Sequence, residues 1–183
     1  MRERKTTDED RRARREAMKL ASPRAKRLAE ATGHIGKWYT LVPAALAGAS
    51  VLAWRRRPAA AATVATTALA ATAAHRILDR VHHHREPPPG KQRIKPHAQS
   101  YPSGHAIETT SSMIAASWVL VRERIAPAWA VVPVAVLAST ISGLGRLILD
   151  RHWSTDSAGG YLAGIALGSA AAGAYELVAP SCP

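Results

Sequence analysis

The sequence predicts an all-α fold, a transmembrane helix bundle of about five spans. Uncharged stretches recur at 38–54, 58–75, 109–121, 125–145 and 157–175. Four of them run 17 to 21 residues, and about 20 cross a bilayer as helix. They are rich in Ala, Gly, Ser and Thr, small residues that let helices pack closely in lipid. Ala-rich runs are only weakly hydrophobic, so a soluble helical bundle is the alternative.

Residues 1–35 form a basic N-terminal tail, partly helical or disordered, ahead of a membrane domain at 36–179. Residues 1–37 hold 12 of the 25 Lys/Arg and 6 of the 13 acids. Helices are predicted around 8–20 and 23–31, with thin apolar spacing. Such an arm beside a membrane is solvated or contacts anionic headgroups; no nucleic-acid partner is expected. A signal-peptide core is absent from this stretch. The first span, 38–54, is flanked by Trp38, Tyr39 and Trp54, as in interfacial aromatic belts. "RRRP" (55–58) is a tight connection to the second span. A polar loop then runs to 102, and its "PPPG" ends any helix. The third span becomes 18 residues if it starts at Gly104, with Glu108 inside it. "VRERIAP" joins it to the fourth, and "GRLILDRHWSTD" leads into the fifth. One cysteine, Cys182, rules out an intramolecular disulfide and a cysteine-based metal site within the sequence.

Alternate loops of a helical bundle share a face. The 76–103 and 146–156 loops are therefore expected together, with "RRRP" and "VRERIAP" at the other end. All histidines except His34 fall at or in the first pair. That face collects a phosphoryl-transfer kit. His152 and Asp156 are spaced to meet on a helix, and a carboxylate fixes the imidazole tautomer, leaving the other nitrogen nucleophilic. Arg146 offers a bidentate fork for phosphate oxygens. Ser103 and the Gly104 N–H are neutral donors at a helix start. His105 is placed to protonate a leaving oxygen. No metal or other cofactor is called for.

"PSGH" at 102–105, followed by Arg146-x5-His152-x3-Asp156 and then "DSAGG", resembles two signature motifs of the type 2 phosphatidic acid phosphatase (PAP2) superfamily, which includes bacterial lipid phosphatases and vanadium haloperoxidases. The resemblance spans roughly 36–178. It implies a metal-independent membrane lipid phosphatase with His152 forming a phosphohistidine, Asp156 orienting it and His105 as general acid. It also implies phosphoryl oxygens held by Arg146, Ser103 and Gly104. Implied substrates are polyprenyl diphosphates or phosphates, phosphatidic acid and phosphatidylglycerophosphate, at the cell membrane in a multi-pass chain. The family's first motif, Lys-x6-Arg-Pro, is irregular here. One register puts Arg80 at the Lys position, with Arg85 where many members carry an extra Arg. The other treats Lys95-Pro96 as Arg-Pro. Either way a cation of the clamp is missing or comes from a neighbour such as Lys91 or Arg93. Gly145 replaces the serine usual before the motif-three Arg. A catalytically weak relative with a lipid- or nucleic-acid-binding arm is therefore the alternative function, and a haloperoxidase a lesser one.

The remaining features read more plainly. His82, His83 and His84 point in different directions and belong to a loop surface rather than a metal site. Glu108 is an intramembrane acid expected to bond His105 or a loop cation, or to lie at the interface. Trp153 is expected at headgroup level. For sidedness, 20 of the 25 Lys/Arg fall on the active-site side, which the positive-inside rule assigns to the cytoplasm; Arg55, Arg56 and Arg57, against a span, point the opposite way.

Overall fold

The computed structural model describes residues 7–81, 85–89 and 99–179. These hold seven helices and no strand: α1 (Asp8–Leu20), α2 (Pro23–Thr32), α3 (Trp38–Trp54), α4 (Pro58–Val81), α5 (Gly104–Arg122), α6 (Ala128–Ile148) and α7 (Ser154–Val178). The predicted His82–His84, Lys91, Arg93 and Lys95 lie outside the described residues.

Local chemistry sets the helix ends. Thr7 caps α1, its hydroxyl accepting from the Asp10 N–H at 3.1 Å, and three acids sit in the first turn, where the helix dipole favours them. Ser22 caps α2 through the Ala25 N–H at 3.1 Å, and Pro23 occupies the first helical position, where its missing N–H costs nothing. Helices α3, α5 and α6 each end in a left-handed residue that is not glycine: Arg56, Arg124 and Asp150, at φ 59°, 54° and 54°. After α6, the Asp150 N–H bonds the Leu147 carbonyl at 3.0 Å and the Arg151 N–H bonds Arg146 at 2.9 Å. This paired closure reverses the chain sharply.

The tightest packing joins α5 to α7. Gly160, Gly164 and Gly168 recur every four residues on one face of α7. A Cβ on Gly160 would stand 2.6 Å from the Ser103 carbonyl; on Gly164 or Gly168 it would stand 2.8 Å from Thr110 or Ile114 Cβ. Only glycine permits this approach, which brings the two helix N-termini side by side. At the opposite end the α3–α4 and α5–α6 turns meet, as loop alternation requires. Arg57 donates to the Glu123 carbonyl at 2.5 Å and pairs with its carboxylate at 2.8 Å, while the Tyr175 hydroxyl donates to Glu123 at 2.5 Å.

Among the described helices, α6 and α7 have the length and apolarity of a bilayer crossing. Helix α3 is apolar but shorter. Helices α4 and α5 fall short of the apolarity because they are built on Ala, Ser and Thr and carry Arg76, Asp79, Arg80 and Glu108. Large apolar side chains point outward, among them Trp54, Trp129, Val134, Leu162 and Leu177.

The N-terminal helices do not stand free. Helix α2 packs along α6, and α1 touches α6 and α7. Arg14 grips Asp150 with two hydrogen bonds of 2.7 and 2.6 Å, which holds its guanidinium pKa above the ordinary value. The thin apolar spacing of α1 does not show this, because polar contacts to the far end of the chain hold the helix down.

Candidate active site

Three element ends converge on one face: the starts of α5 and α7 and the end of α6. The Ser103 N–H donates to the Asp156 carbonyl at 3.0 Å, fixing the first two together. His105 follows on the first turn of α5, and its carbonyl accepts from Ser142 Oγ of α6 at 3.1 Å. Arg146 sits in the last turn of α6, 2 % exposed. The reversal after α6 then returns Arg151 and His152 to the same region.

His152 lies two residues before α7, so its relation to Asp156 is not helical. Its Nδ1 is 2.7 Å from the Ser100 carbonyl and 3.8 Å from Asp156 Oδ2. A carbonyl only accepts, so Nδ1 carries the hydrogen, and in the neutral ring the lone pair is then on Nε2. Asp156 is fully buried. Its Oδ2 takes the Trp153 N–H at 2.7 Å and its Oδ1 takes Arg85 Nη1 at 2.5 Å.

Arg85 is the hub beneath. Its guanidinium also donates to Thr155 Oγ1 at 2.6 Å and pairs with Asp10. Asp10, from α1, further accepts from Ser154 Oγ at 2.8 Å and the Thr155 N–H at 3.0 Å. Burial pushes the Asp10 pKa up, but bonds from Thr155, Ser154 and Arg85 outweigh it and hold the carboxyl well below the usual range. Arg85 is thus sandwiched between two buried carboxylates. Trp153 packs beside it, ring centroid 5.7 Å from the guanidinium carbon, and donates Nε1 to the Glu86 carbonyl at 2.9 Å. At 7 % exposure it is buried within the protein.

Among the described residues, Glu108 meets neither His105 nor a loop cation. It bonds His75 Nδ1 of α4 at 2.9 Å, and the His75 ring lies against Gly104, 2.0 Å from where a Cβ would stand. Arg80 is exposed on the last turn of α4. Among the described residues, Ser103 Oγ, His105 Nε2 and Arg146 Nε are buried without a hydrogen-bond partner, a state that costs free energy unless something else occupies those atoms.

The turn between α2 and α3 closes the site from above. A Cβ on Gly33 would stand 2.1 Å from Arg146 Nη2, and one on Gly36 would stand 2.3 Å from Ser142 Oγ and 3.0 Å from the His105 ring. Arg146 Nη2 donates to the Ala29 carbonyl at 3.3 Å. Beside them opens a polar cavity of about 260 Å³ lined by Glu30, Gly33, His34, Lys37, Arg146 and Arg151. The structure therefore brings Ser103, Gly104, His105, Arg146, His152, Asp156 and Arg85 to one end of the bundle. It adds Asp10, Lys37, Ser100 and Arg151, which motif spacing does not reveal. Only Asp10 leaves a trace in the sequence, as the last residue of the Thr-x-x-Asp capping pattern.

Comparison with known proteins places this arrangement. The family model for the PAP2 superfamily matches residues 84–177. No curated protein matches the chain. Among solved structures, the fold is similar to the transmembrane PAP2-type phosphatidylglycerophosphate phosphatase from Bacillus subtilis. The match has a TM-score of 0.78 and 18 % identity, and covers 92 % of this chain and 85 % of that one. With its two motifs, its all-helical architecture and a family match over half its length, the chain belongs to the PAP2 superfamily.

Proposed function

We propose that the protein is a multi-pass membrane phosphatase that removes a phosphoryl group from a membrane lipid through a phosphohistidine. The observation that carries this is the His152 tautomer: Nδ1–H is committed to the Ser100 carbonyl, which leaves Nε2 as a nucleophile. In the first step Nε2 attacks phosphorus, the P–O bond to the lipid breaks, and His105 gives its proton to the departing oxygen. In the second, water attacks the phosphohistidine, His105 takes the water's proton, and inorganic phosphate leaves. Ser103 Oγ, the Gly104 N–H and Arg146 stabilise the equatorial oxygens, where such a reaction gathers charge. Asp156 acts on His152 at longer range, through the buried carboxylate and the α7 start it shapes.

Helices α3 to α7 are read as five spans. Their outward apolar side chains and the clustering of polar chemistry at helix ends support a site at headgroup depth. An apolar cleft of about 600 Å³ between α5, α6 and α7, lined in part by Met113, Trp118, Val132 and Ile165, suits an acyl or prenyl chain. Phosphatidic acid, phosphatidylglycerophosphate and polyprenyl phosphates or diphosphates are the substrate candidates. The test is release of phosphate by detergent-solubilised protein from phosphatidic acid and a polyprenyl diphosphate in EDTA. Release that His152→Ala abolishes supports the reading. EDTA-sensitive release would sink the metal-free mechanism, and no release on either lipid would favour a binding protein with a PAP2 fold.

A further inference from the structure

We propose that Lys37, at the N-cap of α3, supplies the second cation of the phosphate clamp beside Arg146. The inference rests on the phosphatase reading above and identifies a binding residue that no motif marks.

The starting point is charge. A phosphate monoester carries between one and two negative charges near neutral pH, and Arg146 alone offers one positive charge. Arg85 cannot add to it. It is 2 % exposed and bound by two carboxylates that are themselves fully buried, so the triad of Asp10, Arg85 and Asp156 is net negative. Arg80 stands exposed on α4. Among the described residues, the cations that share a wall with Arg146 are Lys37 and Arg151.

Placement makes the same point. The turn carrying Lys37 is seated on the site by two glycines, where an added Cβ would collide with Arg146 or Ser142 and crowd the His105 ring. Lys37 follows Gly36 directly. It is half-buried, and its ammonium lies 5.1 Å from the Tyr39 ring centroid, a contact that holds the side chain to one side of the turn. Within the cavity three cations face one carboxylate, Glu30. This excess favours an anion. Arg146 Nε is buried and unpartnered at the same place, which gives the anion a donor. A lysine ammonium on a flexible stem can follow a phosphoryl group as a point charge, whereas the Arg146 fork fixes its orientation.

The experiment compares full-length wild type, Lys37→Met, Lys37→Arg, Lys26→Met and His152→Ala in detergent. Inorganic phosphate binding is measured by equilibrium dialysis, and KM and kcat with a short-chain phosphatidic acid. Lys37→Met is expected to raise both the phosphate Kd and KM by about tenfold, with a smaller change in kcat. Lys37→Arg should recover most of the loss, and Lys26→Met, an exposed charge on α2, should behave as wild type. If Lys37→Met matches wild type in Kd and KM while His152→Ala still abolishes release, the Lys37 assignment is overturned and the phosphatase reading stands. If wild type neither binds phosphate nor releases it, or His152→Ala releases it normally, the reading itself fails and takes the Lys37 assignment with it.

Discussion

His152 leans on the Ser100 carbonyl at 2.7 Å, more than an ångström closer than it stands to Asp156. The Ser100 carbonyl, not the carboxylate, is the nearer acceptor for Nδ1. Asp156 instead receives Arg85 and the Trp153 N–H. Asp156→Asn should therefore act first on stability, because it leaves Arg85 buried with half its counter-charge. A loss of about 3 kcal/mol is expected, read as a lower thermal midpoint in detergent. His152→Ala, which leaves both Arg85 ion pairs in place, should shift the midpoint far less while abolishing phosphate release. Equal midpoints for Asp156→Asn and wild type would remove Arg85 from the account.

The docking of α1 should depend on pH in one direction. Asp10 has a carboxyl pKa lowered in the folded protein. A depressed folded pKa contributes stability that is present above the unfolded value, about 3.9, and is lost as pH falls through the folded one. Helix α1 should therefore stay seated at neutral pH and loosen only in strong acid. Asp10→Asn should loosen it at every pH. Hydrogen exchange of residues 8–20 reads this directly: fast exchange in the variant at pH 7, with slow exchange in wild type, is the expected pair. Slow exchange in both would show that Arg14–Asp150 alone holds the helix.

The α5–α7 seam makes a volume prediction. Gly164→Ala places a methyl 2.8 Å from Thr110 Cβ and 3.0 Å from the Ile107 carbonyl, neither at the end of a flexible side chain. Overpacking of this kind costs about 1–3 kcal/mol. Gly173 lies on the same helix with nothing within 4 Å of its Cβ position, so Gly173→Ala should gain up to about 1 kcal/mol from helix propensity. Opposite shifts in thermal midpoint are the expected result, and like-signed shifts would argue against the seam.

How far the sequence carries depends on the range of the contact. Helix α3 falls at 38–54 as its uncharged run predicts, and α1 and α2 lie within a residue of their expected bounds. Helix α4 runs on to Val81 because charged residues at a helix end interrupt hydropathy without ending the helix. The motif residues are legible because spacing within one segment encodes them. Asp10 and Lys37 are not, since the site residues they stand beside, Arg85 and Arg146, lie far along the chain and only folding brings them near. The carboxylate–histidine pair looks like a helical i,i+4 contact in sequence, yet α7 starts after His152, so the two stand 3.8 Å apart and Nδ1 lies nearer the Ser100 carbonyl. Arg85 looks like a substrate cation in sequence; in the structure it is buried between two acids.

The turn over the site offers the sharpest separation of function from stability. Gly36→Ala would place its methyl 2.3 Å from Ser142 Oγ and 3.0 Å from His105. The serine hydroxyl can rotate, but it also bonds the His105 carbonyl and Thr109, so relief comes at the expense of the network that seats His105. The turn itself is short and edged by exposed residues, so it can lift without unfolding the bundle. Gly36→Ala should then keep the thermal midpoint within about 1 kcal/mol of wild type while lowering kcat/KM by about tenfold or more, as expected for a small misplacement of reacting groups. Combining it with Lys37→Met tests whether the two act as one unit. Coupled residues lose less together than the product of their separate losses, so a double variant scarcely worse than Gly36→Ala alone is expected. Fully multiplicative losses would mean that Gly36 seats His105 and Lys37 holds phosphate independently.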